Sequence, residues 1–312
     1  MDKVPFIFLS KHMFNFLPAP IVGILASILL VSNTLIWASL LLFMAVIKLL
    51  LPIPFLRKYF DLLLIKIAEV WIAGNSFWMS LTQKTDWDVK GLGQLNYRGW
   101  YLVNANHQSW VDILVLQHVF NGKIPLLKFF LKQELIKVPV MGLCWWALDF
   151  PFMKRYSKEY LEKHPEMRGK DLETTRKSCE KFAQVPTSVM NFLEGTRFTP
   201  AKHDKQQSPY KNLLKPRAGG LAFALNAMGD KFQSILNVTI AYPEGIPSFW
   251  DFLCGKVHQV SVHIEELPVP QAFVSGDYNE DPEFRQQVQS WVGDLWQEKD
   301  KLLDTLNHPG QK

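Results

Sequence analysis

The chain has 312 residues and a formal net charge of +5, enough length for one large domain or a domain plus an appendage, with a charge balance suited to an anionic surface. Its three cysteines, Cys144, Cys179 and Cys254, are widely spaced; they form neither a metal-ligand pattern nor a disulfide framework, which points to a reducing cytoplasmic setting. HExxH and GxSxG patterns are absent, which argues against a zinc hydrolase or an ordinary serine hydrolase.

Between His12 and Lys48 no charged residue occurs, and after Pro18 and Pro20 the stretch Ile21 to Ile47 is almost wholly apolar. As a helix of about 27 residues it would extend roughly 40 Å. That exceeds a hydrocarbon core of ~30 Å, so tilt or bending is expected. The run is too long for the apolar part of a signal peptide and lacks a persuasive cleavage site. Lys3 and Lys11 precede it, and Lys48, Arg57 and Lys58 follow, a bias that places the bulk of the protein on the cytoplasmic side. Tyr59 to Leu81 is again apolar but carries Asp61, Lys66 and Glu69, which reads as an amphipathic or interfacial helix. Residues 1–82 are therefore expected to form a membrane-anchoring helical pair. From residue 83 to 312 the texture is that of a mixed α/β domain.

Short β-like runs occur at Trp87–Val89, Trp100–Val103, Ser188–Leu193, Leu236–Ala241 and Val257–Ile264, the last with Val260, Val262 and Ile264 in clean alternation. Helical patterns lie between them, with Leu172, Thr175, Cys179 and Phe182 on one stripe and a compact Gly/Ala-rich segment from Ala218 to Met228. Asp281-Pro282-Glu283 starts a final helix whose expected buried face is Phe284, Val288, Trp291, Leu295, Leu302 and Leu306. No internal repeat or low-complexity tract is visible.

The run at Trp100 leads into Asn104-Ala105-Asn106-His107-Gln108-Ser109-Trp110-Val111-Asp112. On one continuous helix His107 and Asp112 would point roughly 140° apart. They meet only if His107 sits in a loop and Asp112 inside the first helical turn. Ser109-x-x-Asp112 is a helix-starting signature, with Ser109 as N-cap and Asp112 third in the helix. Two readings follow. Asp112 is a capping partner and His107 a loop residue; or the carboxylate fixes the tautomer of a histidine held at a helix N-terminus, which makes a general base.

Two further stretches carry charge in a telling place. Phe150-Pro151-Phe152-Met153 ends in Lys154-Arg155, the head of a basic region continued by Lys158, Lys163, Arg168 and Lys170. Most such charges are solvated surface; Arg155 is the best candidate for a bidentate phosphate contact. The run Ser188 to Leu193 ends in Glu194-Gly195-Thr196-Arg197 and a basic loop. Glycine permits close backbone approach, Thr196 offers a hydroxyl and Arg197 an anion fork. An ordinary strand exit with a charged rim has the same form.

Asn106-His107-Gln108-Ser109-x-x-Asp112 resembles the His-x4-Asp motif of the lysophospholipid acyltransferase family. Phe152-Met153-Lys154-Arg155, Glu194-Gly195-Thr196-Arg197 and Val238-Thr239-Ile240-Ala241-Tyr242-Pro243 resemble its second, third and fourth blocks, in order, so the resemblance spans Trp87 to Ile264. The overall pattern is similar to the 1-acylglycerol-3-phosphate acyltransferases, and to a bacterial inner-membrane branch related to the lysocardiolipin acyltransferase group. The resemblance implies an α/β fold, a glycerolipid acyltransferase-like mixed sheet flanked by helices behind the N-terminal helical pair. It implies transfer of a fatty acyl group from acyl-CoA or acyl carrier protein to a lysophospholipid hydroxyl, with phosphatidic acid as the default product and no metal or cofactor beyond the thioester. His107 would be the base and Asp112 its orienting partner. Lys154, Arg155, Gly195, Thr196 and Arg197 would meet the substrate, with the arginines on its phosphate and Glu194 on its glycerol. The setting implied is the bacterial inner membrane with the catalytic domain facing the cytoplasm, and no nucleic acid as partner. Acylation of another lysolipid, hydrolysis with water as acceptor, and a non-catalytic anionic-lipid binder use the same features.

Overall fold

The computed structural model describes residues 13–14, 16–51, 53–153, 163–164, 182 and 185–308. Two long helices come first, α1 (Ala19–Leu50) and α2 (Pro54–Thr82), each with proline in its first turn, where a backbone N–H has no intrahelical partner anyway. Both are long and apolar enough to cross a membrane. They run antiparallel. Asn33 Nδ2 donates to Asn75 Oδ1 at 2.9 Å and to the Trp71 carbonyl at 3.0 Å, Trp78 Nε1 donates to the same Asn75 oxygen at 3.1 Å, and Lys48 pairs with Asp61 nearer the turn. The Asn33 amide fits only because Gly74 lacks a side chain: a Cβ there would stand 2.2 Å from Asn33 Oδ1. The amide can withdraw only by giving up its bonds across the hairpin. Gly74→Ala is therefore expected to cost about 1–2 kcal/mol net, despite alanine's better helix propensity, and to lower Tm by a few degrees. A variant melting at or above wild type would mean that Asn33 moves aside freely.

The hairpin does not project from the rest of the chain. Near its start, α1 meets the short helix α7 (Phe249–Leu253), where a Cβ on Gly23 would lie 2.7 Å from Cys254 Sγ. Further along, Ala38 and Leu41 share a core with Leu64 and Ile67 of α2 and with Cys144 and Ala147 of α4 (Met141–Ala147). Gly23 and Leu41 lie about 27 Å apart along the axis, so α1 lies along the domain over much of its length. Its outward face carries Ile21, Ile24 and Ile28, all about half exposed.

The sheet has six strands: β1 (Asp86–Lys90), β2 (Tyr101–Ala105), β3 (Leu127–Phe129), β6 (Ser188–Phe192), β7 (Ser234–Ala241) and β8 (Gln259–Leu267). Two short strands, β4 (Leu131–Lys132) and β5 (Phe152–Met153), make a separate parallel pair. The order is β1-β8-β7-β2-β6-β3, parallel throughout except for the antiparallel pair β7 and β8. Central β2 is buried at every position, as a parallel strand covered on both faces must be. One face packs under α3 (Val111–Phe120) and the hairpin, with Ala26, Trp78 and Met79 joining Val103, Ala105, Met190 and Leu236 in one core. The other packs under α6 (Gly219–Met228) and the long final helix α8 (Pro282–Asn307); a short helix, α5 (Pro200–Gln206), precedes α6 in the chain.

The register explains why the chemistry gathers at one edge of the sheet. Ala105 of β2 pairs with Phe192 of β6 and with Val238 of β7. Three parallel strands therefore deliver their following residues, the first, third and fourth blocks, to the same carboxyl-terminal end, where open α/β sheets hold ligands. The final helix corrects one expectation. Phe284 and Val288 are buried as expected, but the line continues through Val292, Trp296, Lys299 and Leu303, leaving Trp291, Leu295, Leu302 and Leu306 on its flanks. The stripe is rotated because a lysine occupies a core position, which a hydrophobic count reads as surface. The expected helix through Leu172 and Cys179 lies outside the described residues, apart from Phe182.

Candidate active site

Past Ala105 the chain leaves the sheet at Asn106, whose side chain prolongs the ladder. Its Oδ1 accepts from Ile240 N and its Nδ2 donates to the Ile240 carbonyl, both at 2.8 Å. His107 follows, gripped on both backbone groups: its N–H donates to Glu194 Oε1 at 2.7 Å and its carbonyl accepts from Phe198 N at 2.7 Å. The imidazole stacks on Phe192, with ring centroids 3.9 Å apart. Its Nδ1 lies 2.8 Å from Asp112 Oδ2. A carboxylate can only accept, so Nδ1 carries the proton and Nε2 is left as the basic nitrogen.

Helix α3 begins at Val111, which makes Asp112 its second residue rather than its third. Half of the capping box forms. Asp112 Oδ2 accepts from Ser109 N at 2.9 Å and from Gln108 N at 2.6 Å, but Ser109 Oγ takes the Val111 amide and donates to the Pro247 carbonyl at 2.7 Å. Asp112 is fully buried, and its other oxygen accepts from Tyr242 Oη at 2.6 Å. Burial first, and the adjoining carboxylate second, push the Tyr242 phenol well above its ordinary value and keep it a donor. The carboxylate thus caps the helix and holds the histidine at once. Tyr242 and Asn106 had no role assigned from sequence; the sole signal was their place beside motif residues.

The third block divides. Glu194 is 0 % exposed, and its two oxygens are engaged by the amides of His107 and, at 2.9 Å, Leu214. The carboxylate points inward and braces the backbone of the histidine, and not toward the cavity where a contact with glycerol was expected. Burial pushes it up to about 7, against the lowering effect of those two amides. Gly195 adopts φ +68°, the left-handed region open to glycine, and its N–H closes a tight turn on the Phe192 carbonyl at 2.9 Å. That turn brings Thr196 and Arg197 back over the site. The Arg197 guanidinium lies 4.4 Å from the Trp110 ring centre, and Lys202 Nζ donates to Thr196 Oγ1 and the Arg197 carbonyl at 2.8 and 2.9 Å. Neither Trp110 nor Lys202 had been singled out; an aromatic inside a motif and a lysine in a basic loop are each unremarkable until the fold joins them. Lys154 and Arg155 lie outside the described residues.

His107, Gly195, Thr196 and Arg197 open on a cavity of about 770 Å³, within the range of small-molecule sites. One wall is the domain, with Phe129 and Phe192. The other is the hairpin, with Val31, Leu35, Trp71 and Ile72. Among the described residues no cluster of three or more His, Cys, Asp or Glu is placed to hold a metal ion.

A family model described as Acyltransferase matches residues 86–243. The chain is 26% identical over 222 residues to the 1-acyl-sn-glycerol-3-phosphate acyltransferase gamma of Mus musculus, a match covering 67% of this chain and 54% of that protein. It is 25% identical over 223 residues to a probable 1-acyl-sn-glycerol-3-phosphate acyltransferase 5 of Arabidopsis thaliana, with the same two coverages of 67% and 54%. The chain thus spans about half the length of the curated relatives it matches. Its fold is similar to that of the crystal structure of the 1-acyl-sn-glycerophosphate (LPA) acyltransferase PlsC from Thermotoga maritima, with a TM-score of 0.52, 18% identity, and coverage of 89% of this chain and 98% of that one.

Proposed function

Because the chain belongs to the acyltransferase family, whose model matches just over half of it, we propose that it moves a fatty acyl group from a thioester donor to the free hydroxyl of a lysophospholipid. The acceptor in this reading is 1-acyl-sn-glycerol-3-phosphate and the product phosphatidic acid; the donor is acyl-CoA or acyl carrier protein. The observation that carries it is the His107–Asp112 pair opening on a cavity walled jointly by sheet and apolar hairpin.

In this mechanism His107 Nε2 takes the proton of the acceptor hydroxyl as its oxygen attacks the thioester carbonyl. Asp112 stabilises the resulting imidazolium. The C–S bond then breaks, and the proton passes from Nε2 to the departing thiolate, leaving ester and free thiol. No covalent acyl-enzyme is needed. Arg197, held by Trp110, binds the acceptor phosphate, with Lys202 and Thr196 beside it; Arg155 and Lys154 are proposed to join them on sequence grounds. The cavity takes the acyl chains. Residues 1–82 anchor the protein, and the contacts of α1 along the domain favour a hairpin lying in one leaflet with Ile24 and Ile28 toward lipid. The inner membrane of a bacterium, with the domain on the cytoplasmic side, is the proposed location.

The test is acyl transfer by purified protein in mixed micelles, with labelled acyl-CoA or acylated carrier protein offered alongside lysophosphatidic acid and a panel of other lysolipids. Lysophosphatidic acid should be the preferred acceptor. Arg197→Ala should raise its KM about 10- to 100-fold, the loss of a charged hydrogen-bonding partner, with a smaller effect on kcat. No product with either donor and any acceptor would sink the reading.

A further inference from the structure

The hairpin wall of the cavity holds a polar knot that the mechanism above does not use. Asn33 Nδ2 and Trp78 Nε1 both donate to Asn75 Oδ1, at 2.9 and 3.1 Å. An indole N–H can only donate, so it fixes which way the Asn75 amide faces: oxygen into the hairpin, nitrogen away from it. Asn75 is 4% exposed and lines the cavity, yet its Nδ2 meets no acceptor among the described residues. One turn earlier on α2, Trp71 also lines the cavity, and its Nε1 is enclosed without a hydrogen-bond partner. Around them the wall is Leu30, Val31, Leu35, Ala68 and Ile72. An alkyl chain laid against such a wall leaves its donors unsatisfied, which is costly for enclosed groups. The wall supplies N–H groups and calls for an oxygen.

The height of the knot above the catalytic pair narrows the choice of oxygen. Ser76 Oγ and His118 Nδ1 lie 2.9 Å apart, which sets Asn75 level with Gln117 of α3, another residue of the cavity wall. Gln117 is about 8 Å along α3 from Asp112, and Asp112 holds His107. A hydroxyl on His107 and an oxygen on Asn75 each take up about 3 Å of hydrogen bond. What remains between them is the reach of a glycerol carbon and one ester linkage. A phosphate does not suit an uncharged amide in an apolar wall, and Arg197 stands ready for it elsewhere in the cavity.

We propose that the Asn75 amide nitrogen binds the carbonyl oxygen of the ester already present on the acceptor, and so selects 1-acyl over 1-O-alkyl lysophospholipids. This rests on the acyl-transfer reading and adds a specificity-determining residue to it. A carbonyl oxygen only accepts, as the knot requires; the alkyl lipid keeps phosphate, hydroxyl and chain but has no carbonyl to offer.

The experiment measures kcat and KM in mixed micelles for 1-acyl- and 1-O-alkyl-lysophosphatidic acid of equal chain length. Wild type should prefer the acyl lipid about 3- to 10-fold, the effect of one neutral hydrogen bond, chiefly through KM. Asn75→Leu should use the two lipids alike. Asn33→Ala breaks the same link between the helices but leaves Trp78 to orient the amide, so it should keep the preference. A knot that only braces the hairpin would make the two variants behave alike, and that result would overturn the proposal. Because Asn75→Leu can fail to fold, wild type carries a test of its own: equal use of both lipids would also overturn it. So would a preference that follows a hydroxyl placed along the donor's acyl chain instead of the acceptor's ester. Calorimetric binding of the same two lipids separates the subsite from the reaction. A wild type that transfers no acyl group, yet binds the acyl lipid more tightly by the same factor, would strike the acyl-transfer reading and leave the subsite standing.

Discussion

His107→Ala is expected to lower turnover by about 10²–10⁴-fold, the usual contribution of a positioned general base, while the protein stays folded. The imidazole contributes one of the four hydrogen bonds on Asp112. The Gln108 and Ser109 amides and the Tyr242 hydroxyl keep theirs. What else is lost is the stack on Phe192. A stability loss of about 1–2 kcal/mol follows, too small to empty the native state. Turnover in mixed micelles and a melting curve on the same preparation check both halves. Undiminished turnover in a folded alanine variant would remove His107 from the mechanism.

Asp112→Ala has the larger structural effect. It strips the acceptor from four donors, in a place with no solvent to replace it. Leaving partners of a buried carboxylate unpaired costs about 3–5 kcal/mol, so this should be among the most damaging single changes in the chain. Asp112→Asn separates charge from anchoring. Its oxygen can still take His107 Nδ1 and the loop amides, while its NH₂ group faces Tyr242 Oη, which can turn to accept. Stability should fall less than in the alanine variant. Turnover should still drop by about two orders of magnitude or more, because no negative charge then stabilises the imidazolium. An asparagine variant as active as wild type would reduce Asp112 to a helix cap.

Much of this was open to the sequence because it is locally periodic. The alternation through Val260, Val262 and Ile264 becomes β8, and the apolar run at Trp100 becomes β2. Strand β3 was missed, since Leu127–Phe129 is three residues long and shows no period. His107 and Asp112 were legible as a pair because a helix start between them leaves little geometric choice. Glu194 was not. An acidic residue at a strand exit looks like a ligand contact, and only the pairing of β6 with β2 reveals that it sits under the His107 backbone. The hairpin misleads for another reason: a helix apolar on every side does not say which side meets lipid and which meets protein. Packing assigns Ala26 and Leu41 to the interior and Ile24 and Ile28 to the outside.

That assignment decides whether the first two helices can be exchanged for others. Trp78 and Met79 complete the core beneath the sheet, and Val31 and Trp71 complete the chamber beside His107. Removing residues 1–81 would therefore not liberate a self-contained domain; it would unroof one. Nor would a foreign tail of equal greasiness serve, since it would restore the address of the protein but not its ceiling. In modular terms the first two helices are not a tether fused to a domain but one half of the chamber on which His107 opens.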